Sequence, residues 1–354
     1  MLTIDGTYGE GGGQIIRTTL TLASILNQSF SLKNIRGKRK TPGLAAQHLT
    51  AVQASAMICD AKVTGDTLGS TQLTFSPQSS PQAGLYGFDV AQARAGGSAG
   101  ATSLVLQTIL LPLIYAAAPS EVTIRGGTHV AWSPSFHYLR DVYLPMVAQL
   151  DIQATLTLAA WGWYPAGEGE IRLEVPHRKA QPSFSSHELL WESRGSLQVV
   201  SGLAIASSLP AHIAQRMQNR ATKLLDQADI PNTIEPRRVR SVSPGAGLFL
   251  VAKYEHCRAG FCILGKKGKT SEQVAEEAVQ KFLTFHQKSK AVLDEHLTDQ
   301  LILPMALSGR SGVFYAEKLS SHTLTNLWVV EQFLGPVARV NKKNNSIEFF
   351  QRAA

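Results

Sequence analysis

The hydrophobic pattern of this chain restarts twice, and those restarts limit its fold more than any other feature. A short strand at residues 2–4 leads through a glycine-rich turn into a helix at 14–26. A strand at 29–35 follows, with Phe30, Leu32 and Ile35 apolar among polar neighbours. Next comes a helix at 49–59, where Leu49, Val52, Ala56 and Cys59 recur at helical spacing, and then strands at 62–64, 71–75 and 86–90. The order begins again at Ala95-Gly96-Gly97-Ser98-Ala99-Gly100. A long apolar helix starts near Ala101, then come a strand at 121–125, Gly126-Gly127-Thr128, a helix at 141–150 and strands at 152–158 and 170–175. A third round near the C-terminus has a helix at 299–307, a turn and strand at 309–315 and a helix at 323–334. Each round reads as one βαβαββ unit with a glycine-rich turn. The fold class is therefore α/β (α+β), built from repeats that bury their apolar faces against one another.

Between the second and third rounds the texture changes. Pro176-His177-Arg178-Lys179-Ala180-Gln181-Pro182-Ser183 is polar and bounded by prolines. Beyond it lies a separate set: strand 195–206, helix 211–227, strands 248–253 and 260–264, helix 270–285. We expect a smaller α/β domain, 184–285, inserted into a large repeat domain formed by 1–183 and 286–354, which 354 residues accommodate.

Composition removes several classes. With 44% hydrophobic and 17% charged residues the chain is globular rather than disordered. The longest apolar run, 104–118, is interrupted by Gln107, Thr108 and Pro112 and falls short of the ~18 residues of a membrane span. The opening MLTIDGTYGE lacks a signal-peptide layout. Cys59, Cys257 and Cys262 are too few for a disulfide framework, and with His256 they do not match zinc spacing, so they read as core thiols. A cytoplasmic protein without a membrane partner is the expectation. The net charge of +8 suits an anionic partner without choosing among nucleic acid, nucleotide and membrane surface.

Three segments carry candidate chemistry. Gly9-Glu10-Gly11-Gly12-Gly13 opens the first helix, with Arg17 one turn in. Backbone amides, one acid and one base suit a phosphate with a divalent metal; the alternative is a close-packed strand-to-helix turn. The second segment, Arg36-Gly37-Lys38-Arg39-Lys40-Thr41-Pro42-Gly43-Leu44 followed by Gln47-His48, offers Arg36 and Arg39 as forked phosphate donors or else is a charged surface loop. The third joins Glu295-His296-Leu297-Thr298-Asp299-Gln300 with Ser320-Ser321-His322-Thr323. There His322 stands at a helix start that Ser321 or Thr323 would cap; an unperturbed imidazole there could be neutral near pH 7 and nucleophilic, the alternative being a polar helix-start residue making local hydrogen bonds. A fourth stretch, Phe261 to Thr270, imitates a phosphate-binding P-loop but has Ile263 where the pattern needs glycine, and reads as a solvated basic turn.

Taken together these segments resemble the RNA 3′-terminal phosphate cyclases over nearly the whole chain. The matching pieces are Gly9 to Arg17, Pro42-Gly43-Leu44 with Gln47 to Val52, Val105 to Thr108, Gly126-Gly127-Thr128, Asp299-Gln300 with Leu303 to Ala306, and His322 with Leu324-Thr325-Asn326. The resemblance implies repeated βαβαββ units with an inserted α/β domain, and an ATP-dependent ligase of RNA processing. Its reaction cyclises an RNA 3′-phosphate to a 2′,3′-cyclic phosphate through a histidine–AMP intermediate. It implies His322 as the nucleophile and Glu10 as ligand of the divalent metal, Mg or Mn. It gives Arg17, Arg36, Arg39 and Gln47 to phosphates or the RNA end, and Gln107, Pro134, His296, Leu297, Thr298, Asp299 and Gln300 to the nucleotide pocket. Two departures stand out. The family pattern [RH]-G-x-x-P-x-G-G-G reads Trp161-Gly162-Trp163-Tyr164-Pro165-Ala166-Gly167-Glu168-Gly169, and the tyrosine that stacks on adenine is His296. A non-catalytic ribosome-assembly relative would have lost the nucleophile, which is present here. An enolpyruvyl transferase, which uses similar repeats, would need other active-site residues.

Overall fold

A computed structural model describes residues 1–93, 98–177, 191–288 and 290–351. The first unit comprises β1 (Leu2–Asp5), α1 (Gly13–Leu26), β2 (Phe30–Lys33), α2 (Ala46–Cys59), β3 (Lys62–Thr64) and β4 (Leu73–Ser76). Its sheet runs β1-β2-β4-β3, with β1 and β2 parallel and the other pairs antiparallel. The second unit has β5 (Leu85–Asp89), α3 (Thr102–Ile114), β6 (Ser120–Gly126), α4 (Phe136–Tyr138), a π turn over Leu139–Tyr143, α5 (Leu144–Ala148), β7 (Thr155–Ala160) and β8 (Gly169–Val175). Its order, β5-β6-β8-β7, repeats the first with the same strand senses.

A four-stranded sheet then interrupts the series: β9 (Leu197–Ser207), α6 (Ala211–Asp226), β10 (Asn232–Val239), β11 (Gly245–Tyr254), β12 (Arg258–Leu264) and α7 (Ser271–Gln287), ordered β10-β9-β11-β12. The third unit resumes with α8 (Glu295–Ser308), β13 (Gly312–Tyr315), α9 (Ser321–Leu334), β14 (Ala338–Asn341) and β15 (Ser346–Phe349). Its order β13-β15-β14 matches the last three strands of the other units. The missing first strand survives as one parallel bridge between Leu293 and Ala316.

The differences from the expected elements have local causes. The strand expected at 86–90 opens the second sheet as β5, and Val90 already belongs to a 3-10 turn. The helix expected at 141–150 starts at Phe136, because the Ser135 hydroxyl accepts the Tyr138 N–H and caps it. β10 was invisible to periodicity: it is an edge strand carrying Pro236 and exposed Glu235, Arg237 and Arg238, so its faces do not alternate. Ala95, Gly96 and Gly97 of the second glycine turn, and the expected boundary at 183–184, lie outside the described residues.

One apolar core runs through all these parts. It includes Ile15 and Leu20 of α1, Val105 of α3, Leu301 of α8, Val329 of α9, and Leu250 and Phe282 beside the interrupting sheet. The helix α1 packs on α2, α3 and α9, so all three units meet along it. Among the described residues no helix is long and apolar enough to cross a membrane.

Candidate active site

In each unit the first two strand positions are parallel, and two helices begin beyond their C-terminal ends. Ligands of open α/β sheets gather at such ends. The candidate residues divide among these loops. Glu10 precedes α1, and Arg36 and Arg39 follow β2. Pro134 follows β6, His296 to Gln300 open α8, and His322 lies in the first turn of α9.

The first glycine loop folds down onto α9. The Tyr8 ring stacks on Trp328 with centroids 3.8 Å apart and 11° between planes. Gly9 has φ +54°, and a Cβ there would sit 2.2 Å from Thr325 Oγ1, so only glycine allows this approach. The fold-down delivers Glu10 to His322. Glu10 Oε1 lies 2.8 Å from His322 Nδ1, and Oε2 lies 3.1 Å from Arg39 Nη2. The Lys38 ammonium donates to the Gly9 carbonyl at 2.8 Å and holds the basic loop alongside. The carboxylate is shielded, with its side chain 12% exposed, whereas His322 and Arg39 are 47% and 44% exposed. Apart from the His322 ring nitrogen at 2.8 Å, buried Oε1 has no aligned hydrogen-bond donor among the described residues. Nδ1 faces the acid, and Nε2 has no partner within the described residues.

The contact with Glu10 outweighs burial and raises the His322 pKa above its usual value, so the resting ring is drawn toward the protonated form rather than the neutral one. Burial pushes the Glu10 carboxyl up, but His322, Arg39 and Arg17 together bring it below the usual carboxylate value. The cap of α9 is Ser320, one residue before the expected pair, because its hydroxyl accepts the Thr323 N–H at 3.0 Å. Ser320 Oγ also donates to Asp299 Oδ1 at 2.8 Å, Thr323 Oγ1 donates to the same oxygen, and Asn326 Nδ2 donates to the Asp299 carbonyl at 2.8 Å. Asp299 therefore fastens α8 to the start of the His322 helix. Burial raises its carboxyl pKa, opposed by those hydroxyls.

A deeper cleft of about 40 Å³ opens between α1, α3, α8 and α9, lined by Gln14, Arg17, Thr18, Gln107, Gln300 and Asn326 among others. Gln107 Nε2 donates to Gln300 Oε1 at 2.8 Å, and Arg17 donates to Gln14 Oε1. Gln14 continues to Thr18 Oγ1 at 3.0 Å, which donates to Asn326 Oδ1 at 2.6 Å. Burial lowers the Arg17 guanidinium to about 10, countered by Glu10 and Asp299, so it stays cationic at neutral pH. Among the described residues no carboxylate makes an ion pair with it, so a cation stands at the cleft floor ready for an anion.

The remaining candidates are engaged otherwise. Arg36, with φ +52°, donates through Nη1 to the Gly43 carbonyl at 2.8 Å and shapes its own loop. Gln47 is half-buried and reaches toward Gly100, where a Cβ would meet its Oε1 at 3.1 Å. Pro134 is half-buried ahead of α4. Leu297 and Thr298 are buried, and the Thr298 hydroxyl donates to the Asp294 carbonyl at 2.9 Å. His296 is exposed, edge-on to the Tyr138 ring at 6.3 Å. Of the two sequence departures, Trp161 stacks on the His129 ring at 4.6 Å, and Glu168 holds a positive φ of +51° where the family pattern has glycine.

Sequence reasoning missed Asp294 and named His48 only within the second segment, without a role. Asp294 caps α8 by accepting the His296 and Leu297 N–H groups, and it also accepts Tyr138 Oη at 2.7 Å and the Gly260 N–H at 3.0 Å. An Asp directly before a helical run is a capping signal that could have found it. His48 is buried and accepts the Ala45 N–H through Nδ1 at 3.3 Å; burial, with Arg17 and Arg36 adding, lowers it to about 3. A Cβ on Gly13 would lie 2.2 Å from His48 Nε2. Gly13→Ala is therefore expected to cost about 1–3 kcal/mol by overpacking, read as a lower urea midpoint with an unchanged slope. The P-loop imitation is closed by its own contacts: Thr270 caps α7, Lys269 pairs with Glu277, and β12 pairs antiparallel with β11.

Among the described residues no group of three or more His, Cys, Asp or Glu is placed to hold a metal ion. The model of the RNA 3′-terminal phosphate cyclase family matches residues 8–340. A protein of that name from Gloeothece citriformis is 51% identical over 333 residues, 94% of this chain and 93% of the relative. One from Methylococcus capsulatus is 51% identical over 94% of this chain and 91% of its own. One from Nostoc punctiforme is 47% identical over 98% of both. With the repeat topology and the His322–Glu10–Arg39 cluster in view, these matches show that the chain belongs to the RNA 3′-terminal phosphate cyclase family.

Proposed function

We propose that this chain cyclises RNA 3′-terminal phosphates at the expense of ATP, through a covalent His322–AMP and an RNA-adenylate. The observation that carries this reading is the half-exposed His322 at a helix start, its Nδ1 turned to a shielded Glu10 and its Nε2 without a partner among the described residues. In the first step the Nε2 lone pair forms a bond to the α-phosphorus of ATP, and the bond to pyrophosphate breaks. The ring then carries positive charge, which Glu10 stabilises from the Nδ1 side. An imidazolium is also a good leaving group, so an RNA 3′-phosphate oxygen takes the AMP and frees the ring. The neighbouring 2′-hydroxyl finally attacks the 3′-phosphorus and expels AMP, a step helped by proximity. Asp299 keeps the His322 helix in place, and half-buried Arg17 supplies fixed positive charge for the phosphates.

The family also implies a divalent metal, Mg or Mn. A single buried carboxylate oxygen with no aligned donor among the described residues besides the His322 ring suits an ion that keeps its waters and takes phosphate oxygens as further ligands. Glu10 would hold it, and it would supply charge neutralisation as pyrophosphate departs. The nucleotide pocket of this reading comprises Gln107, Pro134 and the exposed parts of His296 to Gln300; Arg39 and Gln47 face the RNA end. The reading also takes β9–β12 with α6 and α7 as an inserted domain of 184–285, supported by their separate sheet. It assigns the protein to the reducing cytoplasm, in keeping with three free thiols.

The test is incubation of the purified protein with ATP and an RNA ending in a 3′-phosphate. A phosphatase-resistant cyclic end, with one AMP and one pyrophosphate per RNA, is expected; an unchanged RNA end would leave a scaffold role instead. Arg39 sits on the outer rim and Arg17 on the floor, so Arg39→Ala is expected to slow cyclisation more than self-adenylylation. Equal loss in both steps would assign Arg39 to ATP.

A further inference from the structure

Outside the site, two aromatic rings stand in solvent where the fold gives them no reason to. Trp132 is 98% exposed and Tyr164 is 77% exposed. They occupy the tips of neighbouring loops, joined where Gly162 O accepts the N–H groups of Thr128 and His129, each at 3.0 Å. Neither tip is loose. The Trp132 loop is closed by Phe136 N–H to Thr128 O at 3.0 Å and by Ser133 Oγ to Val130 O at 3.1 Å. Trp132 itself has φ +66°, a conformation a bulky residue adopts only when its surroundings impose it. The Tyr164 loop is closed by Gly167 N–H to Trp163 O at 2.8 Å and pinned by Ala166 N–H to Ser243 Oγ at 3.0 Å.

The base beneath is rigid. His129 stacks on Trp161 at 4.6 Å and on Trp163 at 5.0 Å, and His137 stacks on Phe249 at 5.0 Å. At one edge Trp161 bridges to Ser241, next to Arg240, which is exposed and has no hydrogen-bond or ion-pair partner among the described residues, and to Val242, 64% exposed. The loop also has a defined relation to the site. It follows β6 as the Arg39 loop follows β2 and the His322 turn follows β13, and it feeds α4, whose Tyr138 contacts Asp294 and His296 at the start of α8.

We propose that Trp132 and Tyr164, with Arg240 at their edge, form a stacking platform for the bases of single-stranded RNA upstream of the reacting 3′-phosphate. This rests on the cyclase reading above. Exposed aromatic faces beside a free guanidinium, on a chain of net charge +8, suit unpaired bases and a phosphate backbone, and stacking tolerates any sequence.

The test compares 3′-phosphorylated RNAs, a dinucleotide and a longer single-stranded oligomer, on wild type, Trp132→Ala, Tyr164→Ala and Trp132→Phe. For the oligomer, each alanine variant is expected to raise KM by roughly 5–100-fold, in line with base–aromatic stacking. KM for the dinucleotide and the extent of self-adenylylation stay at wild-type levels, and Trp132→Phe restores most of the loss. Arg240→Gln is expected to flatten the salt dependence of oligomer binding by about one phosphate contact. If the alanine variants leave the oligomer-to-dinucleotide ratio of KM unchanged, the platform is wrong. The same holds if wild type forms a dimer that Trp132→Ala dissolves, because the rings would then be a protein contact. Failure of wild type to adenylylate itself would sink the cyclase reading instead, and binding of the unphosphorylated oligomer, read by tryptophan quenching, would still judge the platform.

Discussion

Replacing His322 with alanine is expected to abolish covalent AMP capture and to lower RNA cyclisation by at least about 10³-fold, as loss of a nucleophile does elsewhere. The fold should barely notice. Helix α9 is capped by Ser320, whose bonds to Thr323 and Asp299 do not involve the imidazole. The ring is 47% exposed and Glu10 keeps its contact with Arg39, so the loss should stay within the worth of one partly exposed pair, about 1 kcal/mol or less. Parallel measurements of product formation and urea unfolding separate the two effects. Substantial cyclisation by a well-folded variant would move the nucleophile elsewhere.

Glu10→Gln should give the next largest loss, and it carries a pH signature. Glu10 raises the His322 pKa in the folded state, so the neutral ring needed for attack accumulates only as pH rises through that raised value. With glutamine the rise should move to lower pH. The plateau should also fall, by roughly 10²–10³-fold, because the group that stabilises the cationic ring has gone. The linkage to stability has a definite sign. The pair's contribution is present below the unfolded-state pKa of histidine and lost as pH rises through the raised folded value. At the acid end it is lost as pH falls through the lowered Glu10 pKa. The pair therefore stabilises between those two limits. Self-adenylylation rates across pH, with the imidazole followed by NMR, check both parts; an unmoved midpoint would mean Glu10 does not govern His322.

Both residues could be singled out in the sequence, but their pairing could not. Glu10 was visible as the one acid in a glycine run, and His322 as a histidine at a helix start. Nothing in their spacing says that Tyr8 stacks on Trp328, or that Gly9 is small enough to let the loop rest on Thr325. That long-range docking sets the histidine's protonation, which is why the expected neutral ring turned out drawn toward its cationic form. Asp299 shows the same limit: the family resemblance implied a nucleotide contact, and nothing in the sequence told that its hydrogen bonds also tie two helices together.

For the fold, the repeating unit was legible because buried strands and amphipathic helices write their periods into the sequence. The third unit was harder to read, since its first strand has shrunk to the Leu293–Ala316 bridge and β14 and β15 have four residues each. The edge strand β10 was lost to its own charges and Pro236.

The central claim is that His322 carries AMP. Wild-type protein incubated with α-labelled ATP and Mg or Mn, then denatured, digested and mapped, tests it most directly. The account predicts one acid-labile, alkali-stable AMP on the peptide containing His322, discharged by RNA with a 3′-phosphate and absent from His322→Ala. Label on another residue, or none under any metal condition, would contradict it.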